Sequence, residues 1–530
     1  MSKCQRLAVA AIACFVVAGV SVLARIAAVH LCGGEFIYPI DDTYIHIAMA
    51  KALAVHGTWG VEAGKMAFCS SSPLWTLVLG GLYAVAGVRE ALPWYLALLF
   101  NLGAVVLVER TVAAFTDDWR VRLGGALAVA FAAPFVCTTA LGMEHAMHAF
   151  FMLATIAAGA RLCRTRSAGA AALCCVLAAC ATASRYESLF FLLPFSLGCC
   201  CLEAYALWKD GKRPIPRAGM SVGLAAAFPV LAYGMVALLN GGHFLPNSLL
   251  LKGNFSGPSE LLSQAMRIFG TVPEGYGLLY LLAFVVGIVA VSVGATAYWR
   301  IVAAALVIAI FGQVLFARVG QLLRYEAYLY AMGTFVLSAL VASAGGFGKV
   351  PRAYLPIGAV LVVAVAFSQK AVSSFSGAIH CSADIRRQQV VMTRIMAALP
   401  DEDRGCVALN DLGYMALYGG FPFVDLWGLG SQDAAELRMR HPSYMEPDYC
   451  EILAKEHGIR YFVVFENWYP RSLMPEGTVD VAYLTLKDNV VCGGDTVVFR
   501  ATSAKAAEKL REHLLKYRDR MPSRVTLRVL

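Results

Sequence analysis

Through its first 369 residues the chain is built from long apolar runs, and beyond them hydrophobicity drops and short helical and strand patterns take over. The long runs lie near 7–31, 92–109, 123–139, 145–160, 167–183, 188–207, 218–239, 276–294, 301–316, 326–345 and 353–369. Their lengths are about those of helices that cross a bilayer. A twelfth, Pro73 to Val88, is shorter and opens with "SSSPLWT". The first run follows Lys3 and Arg6 and exceeds the apolar core of a secretory signal. Cys32 follows Leu31 where a lipoprotein cleavage site wants a small residue, so an uncleaved first span is expected.

Charge settles how the short run is counted. If Pro73 to Val88 does not cross, the loops bearing Arg110, Arg120 and Arg122, then Arg161, Arg164 and Arg166, then Lys209, Lys212, Arg213 and Arg217, then Arg300, then Lys349 and Arg352 share a side with Lys3 and Arg6. That arrangement satisfies the positive-inside bias, and a full crossing would break it. The expectation is about eleven crossings plus one re-entrant or interfacial helix, with the N-terminus inside and the C-terminus outside. Five polar motifs then share the outer face: "IDDTY", "GMEHAMH", "SRYES", "GHFLPNSLLLKG" and "GQLLRYE".

From about residue 370 helical and strand patterns alternate. "DIRRQQVVMTRIMAAL" and "EILAKEHG" read as helices, and "GCVALN", "RYFVVF", "VAYLTL" and "DTVVFRA" as strands. The fold class is therefore a mainly α, polytopic membrane domain over 1–369 with an extracytoplasmic α/β domain over 370–530. The basic tail from Lys505 to Arg528 reads as a solvated helix, with contact to anionic lipid or glycan as the lesser alternative.

Composition agrees with this reading: 59% of the residues are hydrophobic and only 15% charged, with a mean hydropathy of +0.65. A soluble globular protein is excluded. The net charge of +9 is scattered among short loops and no nucleic-acid motif accompanies it, so it reads as topology. Twelve of the sixteen cysteines precede residue 202 and act as small apolar residues. Cys381, Cys406, Cys450 and Cys492 could form up to two disulfides in an oxidising space, with connectivity left open.

The candidate chemistry lies in the outer motifs. Asp41 and Asp42 precede a helix-like run, where an acid caps orphan N–H groups. One cap explains one acid only. An acid near a membrane with no basic partner close in sequence is also a candidate site. Glu144 opens a span; His145 and His148 follow it, too sparse a set to specify a metal. Arg185 and Glu187 read either as an interfacial ion pair or as site residues, and Lys252 and Arg324 either as anchors or as phosphate-binding cations. Asp411 follows a strand, where α/β sheets often place ligands, although turn and cap roles are commoner there.

Taken together and in order, "DDTYIHIAMAKALAVHG", "SSSPLWT", "GMEHAMHAFFMLA", "SRYESLFFLLP", "GHFLPNSLLLKG", "RYEAYLY" and "NDLGYMALYGGFPFVDLWGL" resemble the membrane-embedded GT-C glycosyltransferases. The likeness is to the branch that includes the mycobacterial arabinofuranosyltransferases and the Rgt-type and ArnT-like enzymes, and covers about residues 36–430. The chain has "SRYES" where the family commonly has Thr-Arg-Pro-Glu-Gly, and "GMEH" for Gly-Leu-Glu-Thr. The resemblance implies that Asp41 or Asp42 is the catalytic carboxylate, and that Arg324, Lys252 and Arg185, in that order, stabilise a leaving phosphate. Glu144, Glu187, Asp411 and Tyr44 complete the substrate-binding set.

It also implies an inverting transfer from a polyprenyl-phosphate sugar to an envelope glycan or lipid acceptor, at the outer face of the plasma (inner) membrane. No cofactor is certain, a divalent metal is possible, and membrane lipid is a partner while nucleic acid is not. A lipid-linked sugar transporter or flippase is the alternative. It fits less well, because transport sites put ionisable groups at mid-membrane and the runs here are nearly free of charge.

Overall fold

In the computed structural model, residues 3–252, 276–292, 295–343, 372–440 and 448–530 are described. The apolar run at 353–369 and the boundary near residue 370 fall outside them. Helix α1 spans Lys3–Leu31, α2 Asp42–His56, α3 Pro73–Ala86 and α4 Leu92–Val112. The run at 123–139 is two helices, α5 (Trp119–Ala132) and α6 (Phe135–Leu141), bent by 46°. Pro134 sits at the break, where its missing N–H and its ring interrupt the ladder. Then come α7 (His145–Thr165), α8 (Ala168–Ser184), α9 (Leu189–Lys209), α10 (Arg217–Leu239), α11 (Asn247–Lys252), α12 (Tyr276–Ser292), α13 (Ala297–Phe316) and α14 (Ala327–Ser343).

Among the described residues six helices are long and apolar enough to cross a membrane, or seven if the bent pair is one span. The chain is an integral membrane protein, mainly helical. Helix α3 has 14 residues, about 21 Å of helix, against about 30 Å of hydrocarbon. Leu197, Leu224, Phe228 and Leu239 on α9 and α10 are exposed, as lipid-facing side chains are. Inside the bundle, Arg122 and Glu109 are both buried and pair with each other.

Residues 372–397 form one continuous helix, α15, interrupted by a π-helical turn at Arg386–Val390. It leads into a six-stranded sheet of order β2-β1-β3-β5-β4-β6, made of β1 (Cys406–Leu409), β2 (Phe423–Asp425), β3 (Ile459–Phe465), β4 (Val479–Leu486), β5 (Thr496–Ala501) and β6 (Val525–Val529). Strands β2, β1 and β3 are parallel; β5, β4 and β6 continue the sheet antiparallel.

Two expectations for this region are corrected. The basic tail is not a solvated helix: Ala504–Leu515 is a helix with Ala506, Ala507, Leu510 and Leu514 buried, and the chain then returns as edge strand β6. Apolar residues at helical spacing on one face drove that packing. Cys381, Cys406, Cys450 and Cys492 are all free thiols. Cys406 lies on a strand and Cys450 within the helix Asp448–His457, so each is fixed by its own element.

The sheet does not stand apart from the bundle. One apolar cluster runs from Tyr38, Tyr44 and Ile47 through to Leu409, Met415 and Phe499. Glu35 adds an ionic tie, accepting from Arg386 at 2.9 Å and from Arg394 at 2.5 Å on α15. The loop between α1 and α2, with the start of α2, is thus the bed on which the α/β domain rests.

Candidate active site

The adjacent carboxylates Asp41 and Asp42 point to different places. Asp41 holds the N-terminal position of α2 yet makes no side-chain bond to it. Its carboxylate instead accepts the backbone N–H of Gly413 and, at 2.8 Å, that of Tyr414. These are the first residues of helix α16, Gly413–Tyr418. The expected cap therefore exists, but on a helix 372 residues away. Leaving those buried donors unmet would cost about 1–3 kcal/mol each. Burial raises the Asp41 pKa to about 6, against the opposing pull of the Tyr414 and Gly413 N–H groups and a hydrogen bond shared with Asp411. Two carboxyls share such a bond only when one holds a proton.

Asp42, the first residue of α2, is partly exposed and faces Arg324, whose guanidinium donates to it at 2.6 Å. Arg324 is buried and also donates to Gln321 and, at 2.8 Å, to the Tyr325 hydroxyl, leaving its Nε without a partner. Gln321, Leu322 and Leu323 precede it with φ of 49°, 63° and 60°. Three L-residues in a row in the left-handed region cost roughly 1–2 kcal/mol each. Backbone strain of this kind persists where surrounding contacts enforce it, and here it aims Arg324 inward.

A second cation stands across the Tyr325 ring. The guanidinium carbons of Arg324 and Arg185 lie 4.6 Å and 5.4 Å from the ring centroid. Arg185 sits in extended backbone between α8 and the short turn Tyr186–Ser188. Glu144 accepts from it at 2.7 Å and Glu187 at 2.5 Å. Glu144 is fully buried and has His46 Nε2 at 3.3 Å from its other oxygen. Burial holds the His46 pKa below its ordinary value despite that carboxylate.

The two neighbours of Glu144 on α7 then part company. His148 pairs with Ser188 Oγ at 2.8 Å, whereas both ring nitrogens of buried His145 lack hydrogen-bond partners, Nε2 lying 3.9 Å from Glu144, and its ring lines a cavity. Among the described residues no three His, Cys, Asp or Glu side chains gather in a geometry that would hold a metal ion.

Two cavities meet at the Asp42–Arg324 pair. The first, about 310 Å³, is lined by Asp42, His46, His145, Arg185 and Arg324 together with apolar Phe190, Val230, Leu249 and Phe316. The second, about 260 Å³, lies between Asp41, Asp42 and the α/β domain, with Asn410, Asp411, Trp427 and Trp468 on its walls. Asp42, Arg318, Arg324 and Tyr325 line both.

Of the residues expected at a site, Asp42, Arg185, Glu187 and Arg324 line the first cavity and Asp41, Asp42, Arg324 and Asp411 the second. Glu144 does not line either and serves to hold Arg185. Tyr44 is buried at 1% exposure, accepting from the Tyr38 N–H at 2.9 Å and packed on Tyr414 at 4.8 Å. Its place is in the bed under the α/β domain. Lys252 ends α11, and its side chain lies outside the described residues. His46, His145, Tyr325, Trp427 and Trp468 were not legible as site residues. The strand-end rule that pointed to Asp411 applies equally to the two tryptophans.

A family model described as a domain of unknown function (DUF8728) matches residues 383–507. No curated protein sequence matches the chain. Among solved structures, the oligosaccharyltransferase of Archaeoglobus fulgidus in the apo form aligns with a TM-score of 0.52 at 11% identity, over 98% of this chain and 78% of that one. ArnT from Cupriavidus metallidurans bound to undecaprenyl phosphate aligns with a TM-score of 0.53 at 13% identity, over 93% and 98%. At these identities the likeness is one of fold.

Proposed function

For this membrane protein of the GT-C fold, we propose an inverting glycosyl transfer from a polyprenyl-phosphate sugar to a glycan or lipid of the cell envelope. The observation that carries the reading is the Asp42–Arg324 pair, a carboxylate and a buried guanidinium shared by the linings of two cavities, one of which is lined in part by apolar side chains. ArnT, of similar fold, was solved with undecaprenyl phosphate bound.

In this scheme the isoprenoid lies along Phe190, Val230 and Phe316, and the phosphate is held by Arg324 and Arg185. A phosphate on Arg324 displaces the Asp42 carboxylate from that guanidinium. Asp42 then takes the proton of an acceptor hydroxyl as its oxygen attacks the anomeric carbon from the face opposite the phosphate. The bond from that carbon to the phosphate oxygen breaks, and polyprenyl phosphate departs with the electron pair. Negative charge grows on the leaving oxygen, so cations fixed beforehand stabilise the transition state more than the ground state.

Asp41 is a positioning residue here: its carboxyl is committed to α16 and Asp411, while Asp42 faces both cavities. The eleven-crossing topology, with this site at the outer face of the plasma membrane and residues 370–530 extracytoplasmic, belongs to the same proposal. It is supported by the basic residues of the intervening loops.

The test follows loss of labelled polyprenyl-phosphate sugars, pentose and hexose, by purified protein and by the variants Asp42→Asn and Asp41→Asn. Wild-type turnover in Asp42→Asn would remove the base. Movement of the lipid across a bilayer without sugar transfer would favour a flippase.

A further inference from the structure

The second cavity has a construction of its own. It opens at the carboxyl ends of three neighbouring parallel strands: β1 runs into Asn410 and Asp411, β2 into Trp427, and β3 ends at Phe465 ahead of Trp468. Open α/β sheets take ligands at such ends, because the loops there diverge and leave polar groups pointing into one crevice.

Two features say what kind of ligand fits. Asn410 is 7% exposed; its Oδ1 accepts the Phe465 N–H at 3.0 Å, which fixes the amide orientation, and its Nδ2 is buried without a partner. A buried amide donor left unmet is costly, and here it lines the cavity. Beside it is an aromatic wall, with the rings of Trp427 and Trp468 at 5.0 Å and those of Phe465 and Trp468 at 5.6 Å. Asp411, which lines the cavity, accepts from Gln389, carried by the π-helical turn of α15.

We infer that this cavity is the acceptor site, and that it takes a sugar ring of a water-soluble glycan. The polarised C–H face of a sugar matches the negative face of an indole. Its hydroxyls accept from the Asn410 amide and donate to a carboxylate. Lipid fits poorly, since the lining residues come from loops, from α2, from α15 and from the α/β domain, and, among the described residues, from no helix both long and apolar enough to cross a membrane. A hydroxyl of the bound ring faces Asp42, which the two cavities share. The inference rests on the glycosyltransferase reading and supplies its acceptor class.

The experiment uses the full chain with envelope material of its source cell, divided into a polysaccharide fraction and an organic-solvent lipid fraction. Labelled polyprenyl-phosphate sugar is the donor. Label is expected in water-soluble glycan, and Trp468→Ala and Asn410→Asp, the latter keeping the Oδ1 acceptor, are expected to raise the acceptor KM on the order of tenfold. Binding of labelled polyprenyl phosphate stays at the wild-type level. Label confined to lipid, or a wild-type acceptor KM in both variants, overturns the inference. Tryptophan fluorescence titrated with the polysaccharide fraction gives a readout that needs no donor. A saturable change lost in Trp468→Ala supports the glycan site even if no donor is consumed, a result that would sink only the transfer reading. Absence of any saturable change overturns the site.

Discussion

Asp42 and Arg324 stand 282 positions apart in the chain and 2.6 Å apart in space. The pair joins the first turn of α2 to a strained left-handed turn ahead of α14, and both cavities open onto it. The buried guanidinium engages this carboxylate until something else takes the cation. In the mechanism proposed above, base release therefore depends on donor binding.

Asp42→Asn keeps the shape and the hydrogen bond to Arg324 but cannot accept a proton. Turnover of labelled donor is expected to fall by about 10²- to 10⁴-fold, the usual contribution of a positioned general base. Donor binding, followed by retention of labelled polyprenyl phosphate, stays close to wild type.

Arg324→Lys keeps the charge and loses the planar fork that reaches Asp42, Gln321 and Tyr325 together. If Arg324 stabilises the leaving phosphate, kcat falls by about 10²- to 10³-fold. An equal kcat with a raised donor KM would assign it to ground-state binding instead.

Asp41→Ala strips two buried N–H groups of their acceptor and should loosen the α/β domain from its bed by about 2–4 kcal/mol. Gly413→Ala should do the same by another route, because a Cβ there would run into the Asp41 backbone and carboxylate. Both are read by thermal unfolding and by the protease sensitivity of the α/β domain. Neither effect is expected in Asp42→Asn.

The Asp41 pKa, raised by burial from 3.8 to about 6, sets a pH window. Between those values the folded protein holds a proton that the unfolded chain has released, so this group's contribution is largest below the lower value and declines as pH rises through the upper one. Asp41→Asn, which has no charge to bury, should flatten that part of the stability curve while keeping one acceptor for α16. A stability profile unchanged by the substitution between pH 4 and 6, about the window the shift defines, would show that Asp41 does not titrate there.

Epitope tags placed at Gly211, an exposed turn between α9 and α10, and at Val490, exposed on the α/β domain, should be reached from opposite sides of the membrane. Same-side access in intact cells would break the eleven-crossing parity and move the site to the other face.

What the residues alone determined was local. Apolar runs located α4, α7, α8, α9, α10 and α13, and short runs rich in β-branched and aromatic residues located β1, β3, β4 and β5, because both signals are local in the chain. The motifs that hold Asp42, Arg185, Arg324 and Asp411 were legible for the same reason: polar groups bunched where apolar runs stop. Strand β6 and the packed helix before it were masked by the basic charges around them, which say nothing about the buried face. Tertiary structure alone decided which carboxylate does what. Whether Asp41 caps its own helix or α16, whether Asp42 meets Arg324, and whether Trp427 and Trp468 share a wall with Asn410 depend on contacts between segments far apart in the chain. No local period encodes such contacts, since they arise only when burial and unmet hydrogen-bond groups bring distant elements together.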